Sequence, residues 1–74
     1  MTNTQISRTI QRIRIERGLK KHQIYQGIDM SRIVYFHIEK GDKYILASEL
    51  IELLSYHEMT LQEFKDFAKE RGII

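Results

Sequence analysis

A chain of 74 residues has the length of one small domain, and a domain of this size buries only about 60% of the surface that its unfolded form exposes. The chain has no cysteine, so disulfides and thiolate-bound metal ions are excluded. Its apolar runs are too short to span a membrane, and its first residues lack a signal-peptide segment. We therefore expect a cytoplasmic location and no membrane partner.

The charged side chains are unevenly distributed, although the formal net charge is only +2. The first third of the chain is basic, with Arg8, Arg12, Arg14, Arg17, Lys20 and Lys21. The last third is acidic, with Glu49, Glu52, Glu58, Glu63 and Asp66. This asymmetry favours an anionic partner for the first part, and an ordinary solvated surface is the alternative.

The first two helices are predicted from hydrophobic spacing and from a glycine. Apolar residues at i, i+4 and i+7 form one stripe of the first helix, which we expect to stop at Gly18. These residues are Ile6, Ile10 and Ile13. A short second helix is expected from Lys20 to about Gly27, with Leu19 and Ile24 facing inward.

Three further helices follow. Ser31 is a favourable N-cap for the third, which we expect to end at Gly41. The fourth is marked by an apolar stripe of Leu46, Leu50, Leu53, Leu54 and His57. The fifth begins at a capping box, in which Thr60 and Glu63 satisfy each other's backbone donors. Its inward face is expected to carry Leu61, Phe64 and Ala68, and its end to lie near Gly72. The sequence thus predicts an all-α fold in a single domain spanning residues 1–74.

No group of residues indicates catalysis. The histidines lie on three different predicted helices without metal-ligand spacing, and the glycines are too isolated to form a phosphate-binding loop. Ser31 and His37 lack a third group that would orient the histidine. We therefore expect no enzyme activity, no catalytic residue, no metal site and no cofactor.

The segment at about residues 20–40 has the form of a helix-turn-helix, two short helices joined by a turn of about four residues. With its flanks, it resembles the Cro/CI-type (XRE) family of bacterial and phage regulators. The residues that carry the resemblance are Ile6, Ile10, Ile13-Arg14, Gly18-Leu19 and Ile38-Glu39-Lys40-Gly41. The last two predicted helices also match the family, and the sequence is most similar to the N-terminal DNA-binding domains of Rgg/MutR-type peptide-responsive regulators.

The resemblance implies a five-helix, lambda-repressor-like DNA-binding domain. Its function would be sequence-specific binding of double-stranded DNA by a transcriptional regulator, as a homodimer, with the recognition helix at about Ser31–Lys40 in the major groove. Relatives of the Rgg/MutR type carry a C-terminal helical-repeat domain that binds a peptide and dimerises the protein. No such domain fits in this chain, so we expect either an excised N-terminal domain or a small stand-alone regulator.

The resemblance also implies roles for individual residues. On the outer face of the recognition helix, the side chains themselves indicate the contacts: the Arg32 guanidinium suits guanine O6 and N7, and Ile33 and Phe36 suit thymine methyl groups. Three further DNA contacts are expected at the N-cap of this helix or along it, namely Ser31, His37 and Lys40. The remaining expected DNA contacts are Lys21 at the start of the second helix and Lys43 and Tyr44 in the loop after the third. Arg14 and Glu39 are expected to form a partly buried structural ion pair.

Several positions depart from the family's pattern. Ile33 and Phe36 stand where small or polar residues are usual, and two large apolar side chains on an exposed face also suit a protein partner. The alternative function is therefore a protein-interaction module of the antirepressor or antitoxin kind that uses the Ile33/Phe36 face. Tyr25 replaces a small residue and needs space between two helices. Asp29 stands where the family has a glycine in the turn, and an aspartate tolerates the left-handed backbone of such a turn. Lys20 replaces a capping serine.

Overall fold

The computed structural model describes all 74 residues, Met1–Ile74, as five α-helices without a strand. The helices are α1 (Asn3–Glu16), α2 (Lys21–Gly27), α3 (Arg32–Lys40), α4 (Ala47–Tyr56) and α5 (Leu61–Glu70). This confirms the prediction of an all-α chain. None of these helices combines the length and the apolar character that a bilayer crossing requires.

Two predicted caps fix the starts of α3 and α5. The Ser31 hydroxyl accepts a hydrogen bond from the Val34 N–H at 3.1 Å. The Thr60 hydroxyl accepts from the Glu63 N–H at 3.1 Å, and the Glu63 carboxylate accepts from the Thr60 N–H at 2.9 Å. Each bond satisfies a backbone donor that the first turn of a helix leaves unpaired, so both helices begin where the sequence predicts.

The starts of α1 and α2 were not foreseen in detail. Thr2 and Gln5 form a capping box at α1, with reciprocal bonds of 2.8 and 3.2 Å. Lys20 is the N-cap of α2 and its side chain gives no cap hydrogen bond, and the helix begins at Lys21, one residue after the predicted start. The Gln23 side chain accepts from the Lys20 N–H at 2.7 Å, which is the one of the two capping-box bonds that does not need a serine at the N-cap.

The connection between α2 and α3 is a tight turn over residues 28–31. Asp29 has the left-handed conformation expected at this position, with φ at 55°. The Met30 N–H then bonds to the Tyr25 carbonyl at 2.9 Å, which closes the end of α2. At the end of α3, Gly41 has φ at 83°, a conformation that glycine adopts without a steric penalty.

The hydrophobic core is assembled around α1, which packs against α3 and α5, while α2 packs against α3 and α4. Its buried side chains come from all five helices: Ile10, Ile13, Ile24, Tyr35, Ile38, Leu53 and Phe64. Gly27 lies close to α4, since a Cβ atom there would stand 2.7 Å from the Tyr56 ring. The Tyr25 ring finds its space beside the Tyr35 ring, with centroids 6.3 Å apart.

Two residues of the predicted apolar stripes are exposed. Leu46 is 58% exposed because it is the N-cap of α4 and lies outside the helical periodicity. Leu61 is 54% exposed, while Phe64 and Ala68 on the same helix are buried. Of the other helices, α5 packs mainly on α1, so only a narrow stripe of α5 is covered and its first residue extends beyond it.

Candidate functional site

A buried ion pair fixes α3 against α1. The Arg14 guanidinium donates two hydrogen bonds to the Glu39 carboxylate, at 2.7 and 3.1 Å, as the sequence predicted. Their side chains are 14% and 2% exposed. The hydrogen bond to Glu39 raises the pKa of Arg14, and the same guanidinium also donates to the Leu19 carbonyl at 3.2 Å. This two-point contact fixes the orientation of α3 relative to α1, and with it the set of side chains that α3 exposes.

With α3 fixed in this way, most of its predicted contact residues share an outer face. Tyr35 and Ile38 are buried in the core, and they define the inner side. The exposed side chains of α3 are Arg32, Ile33, Phe36 and Lys40, with Ser31 at the N-cap. The structure therefore brings together, on one surface, a guanidinium fork, an ammonium group and two large apolar groups.

A groove of about 550 Å³ lies between the start of α2 and α3. Its lining includes five basic side chains, those of Arg14, Lys20, Lys21, His22 and Arg32. Lys21 and Arg32 were predicted as contact residues, whereas Lys20 and His22 were not. Their signal in the sequence was the basic run at residues 20–22, which places several donors at the start of one short helix.

Phe36 occupies the middle of this surface. The Lys21 ammonium lies 5.3 Å from its ring centroid, and the Lys40 ammonium lies 5.8 Å from it. The His37 ring packs edge-on at 5.5 Å. Cations over a ring face are attracted by its quadrupole. Phe36 is therefore held by α2 and α3 together and still remains 47% exposed.

The loop after α3 carries its own ion pairs. Asp42 accepts from His37 at 2.8 Å and lies 3.6 Å from the Lys40 ammonium. The hydrogen bond from His37 lowers the pKa of Asp42. The Lys43 ammonium lies 2.6 Å from the Glu49 carboxylate, and Tyr44 is 84% exposed. Tyr44 is thus free to contact a ligand, while Lys43 would first have to leave its partner. Sequence reasoning missed both acidic partners.

Three of the cations that line the groove have no acidic partner, whereas Arg14, which also lines it, is paired with Glu39. Lys20, Lys21 and Arg32 form no ion pair, whereas Arg12, Arg14, Lys40, Lys43 and Arg71 do. An unpaired cation binds an anion without first breaking an internal contact. The groove and the outer face of α3 therefore form a surface suited to a polyanion that also presents apolar groups.

The fold and this surface define the chain as an all-α protein with a basic and apolar face built on α2 and α3. No group of three or more His, Cys, Asp or Glu side chains is placed to hold a metal ion. Compared with protein-family models, curated proteins and solved structures, the chain shows no match. The predicted function and contact residues therefore depend on the site itself.

Proposed function

We propose that this chain is a helix-turn-helix domain that binds double-stranded DNA and acts as a transcriptional regulator. In this proposal α2, the turn at residues 28–31 and α3 form the motif, and α3 enters the major groove with its N-terminal end first. The observation that carries the proposal is the position of Lys20, Lys21 and Arg32. All three are unpaired cations that line the groove between α2 and α3, and the outer face of α3 is exposed.

The outer face of α3 supports a division of work typical of DNA-binding proteins. Phosphate contacts hold a domain in register, whereas contacts with base edges read the sequence. Lys20 and Lys21 stand at the edge of the groove and suit phosphates. Arg32, in the first turn of α3, carries the guanidinium fork that recognises guanine O6 and N7.

We further propose that two copies bind a two-fold symmetric operator. Half-sites of helix-turn-helix dimers are about 34 Å apart, one turn of DNA. The molecule measures 29 × 23 × 19 Å, so two copies fit side by side on one face of a duplex without overlapping. A two-fold arrangement would present both α3 helices to successive major grooves.

Salt dependence tests the proposal. We expect the affinity for a mixed-sequence duplex, measured by fluorescence anisotropy, to fall linearly with salt on a double-logarithmic plot. Three neutralised phosphates give a slope of about −2.7. Lys21→Ala should make this slope less steep by about 0.9 and should weaken binding to all DNA sequences by the same factor. Lys65→Ala, which removes an exposed unpaired lysine from α5, is the matched control and should leave the slope unchanged.

Arg32→Ala is expected to relax sequence preference at one base pair. The loss of a bidentate contact with guanine should reduce discrimination at that position by about 1–3 kcal/mol and leave the other positions unaffected. The measurement is the affinity for a selected operator in which each base pair is replaced in turn. Arg8→Ala removes the same charge from α1 and should change no base preference. A preference that is the same with and without Arg32 would refute its role as a reader.

A second candidate, a protein-interaction module, is favoured by one observation, the exposure of Ile33 and Phe36. An interface centred on apolar groups barely responds to salt, whereas DNA binding responds steeply. If no duplex binds at low salt while the domain remains folded, the DNA proposal fails, and the Ile33/Phe36 face becomes the surface with which to search for a protein partner.

A further inference from the structure

An apolar patch formed by Ile33 and Phe36 interrupts the basic face of α3. Ile33 is 70% exposed and Phe36 is 47% exposed, and residues three apart on a helix are neighbours on its surface. Ser31, Arg32 and His37 complete a shallow groove of about 680 Å³ around them. Apolar side chains of this size are costly to leave in water, so the patch suits a ligand that presents an apolar group.

The surroundings of the patch narrow the chemistry of that ligand. Positive groups stand around it, with Lys21 and Lys40 on the Phe36 ring and Arg32 beside Ile33 in the groove. Asp42, the carboxylate that contacts His37 beside the patch, is already paired with His37 and Lys40. The patch therefore complements small apolar groups that are themselves surrounded by negative charge, and DNA has this arrangement.

The apolar group that a base edge presents in the major groove is the methyl group at carbon 5 of thymine. Cytosine lacks this group unless it is methylated at the same carbon. We propose that the Ile33/Phe36 patch binds pyrimidine 5-methyl groups. This inference rests on the proposed function. It adds that thymine and 5-methylcytosine strengthen binding at the same positions and that cytosine methylation therefore regulates the affinity of the chain for its site.

The test begins with a duplex selected by the protein itself from a randomised pool. Each thymine of that duplex is then replaced by deoxyuridine, which removes the methyl group and keeps the base pair and phosphate unchanged. At positions under the patch we expect affinity to fall about fourfold for each methyl group, the effect of burying one such group. At the same positions, a 5-methylcytosine pair should bind about fourfold more tightly than a cytosine pair.

Two variants assign the effect to the patch. Phe36→Ala and Ile33→Ala should each abolish the difference between thymine and deoxyuridine at one position, whereas Lys65→Ala, a change on the exposed side of α5, should leave this difference intact. Both side chains are exposed, so the fold should survive, and a thermal melt checks this. If Phe36→Ala unfolds the domain, Phe36→Leu keeps an apolar side chain and should retain part of the methyl preference.

The outcomes separate this inference from the function on which it rests. If deoxyuridine replaces every thymine without loss while binding stays selective and salt-dependent, the inference is overturned and DNA binding stands. If no duplex is enriched and none binds at low salt, DNA binding fails and the inference fails with it. A methyl preference that persists in both alanine variants would also overturn it, since another surface would then read the methyl group.

Discussion

Replacing Arg14 by alanine is expected to lower the free energy of unfolding by about 3–5 kcal/mol. The substitution leaves the Glu39 carboxylate, which is 2% exposed, without the partner that holds it at 2.7 Å. A buried charge that loses its partner is far more costly than a missing surface pair. In a domain of this size, that loss approaches the whole stability. Urea unfolding, followed by the circular dichroism signal of the helices, measures this loss of unfolding free energy.

A matched control lies on the same helix. Arg12→Ala removes the same side chain from a pair with Glu16, whose members are 51% and 33% exposed. Glu16 keeps Arg71 as a partner at 2.6 Å. This variant should change the midpoint of unfolding only slightly, because exposed pairs contribute little. Equal losses in the two variants would contradict the view that burial makes the Arg14–Glu39 pair critical.

A double substitution distinguishes the net contribution of the ion pair to stability from the penalty of leaving one buried charge without a partner. Replacing both Arg14 and Glu39 by leucine or methionine removes both charges, and apolar side chains of similar volume often restore such sites. We expect this variant to recover most of the stability that Arg14→Ala loses. Its DNA binding then tests whether the pair is needed to orient α3, since the core would be intact without the hydrogen bonds that hold the helix.

Acidification is expected to destabilise the fold through His57. Burial, together with the nearby charge of Arg17, lowers the pKa of this histidine from 6.5 to about 4. Neither ring nitrogen has a hydrogen-bond partner, and the residue is 4% exposed. The unfolded chain therefore binds more protons than the folded one between these pH values, so stability falls as the pH falls. The loss between about pH 7 and pH 5 should be about 2 kcal/mol.

His57→Leu isolates this effect from that of the carboxylates. Leucine needs no hydrogen bond in this position, so the variant should be at least as stable as the wild type at about pH 7. Its stability should vary less with pH by about 2 kcal/mol over the same interval. Carboxylate contributions are shared by the two chains and cancel in the difference. Parallel profiles for wild type and His57→Leu would contradict the prediction.

The elements that could be predicted are those whose cause is local. Apolar residues spaced by a helical turn predicted all five helices, and Ser31 and Thr60 marked two starts because a capping hydroxyl acts within three residues. The left-handed turn at Asp29 was likewise foreseen from residue type alone. Where the local signal was incomplete, the prediction erred. Leu46 and Leu61 fit an apolar stripe, yet they lie at helix starts that no neighbouring helix covers.

Some features of the candidate site could likewise be predicted from the sequence, and others depend on how the helices pack. The sequence by itself determined an all-α chain and the outward face of α3, because helical periodicity fixes these features, and it led us to expect the Arg14–Glu39 pair that the structure contains. Only the tertiary structure decided which cations are free, since Lys43 meets Glu49 across a loop and Lys21 meets Phe36 across two helices. Such pairings depend on how the helices pack, and packing is set by the core as a whole and not by the spacing within one segment.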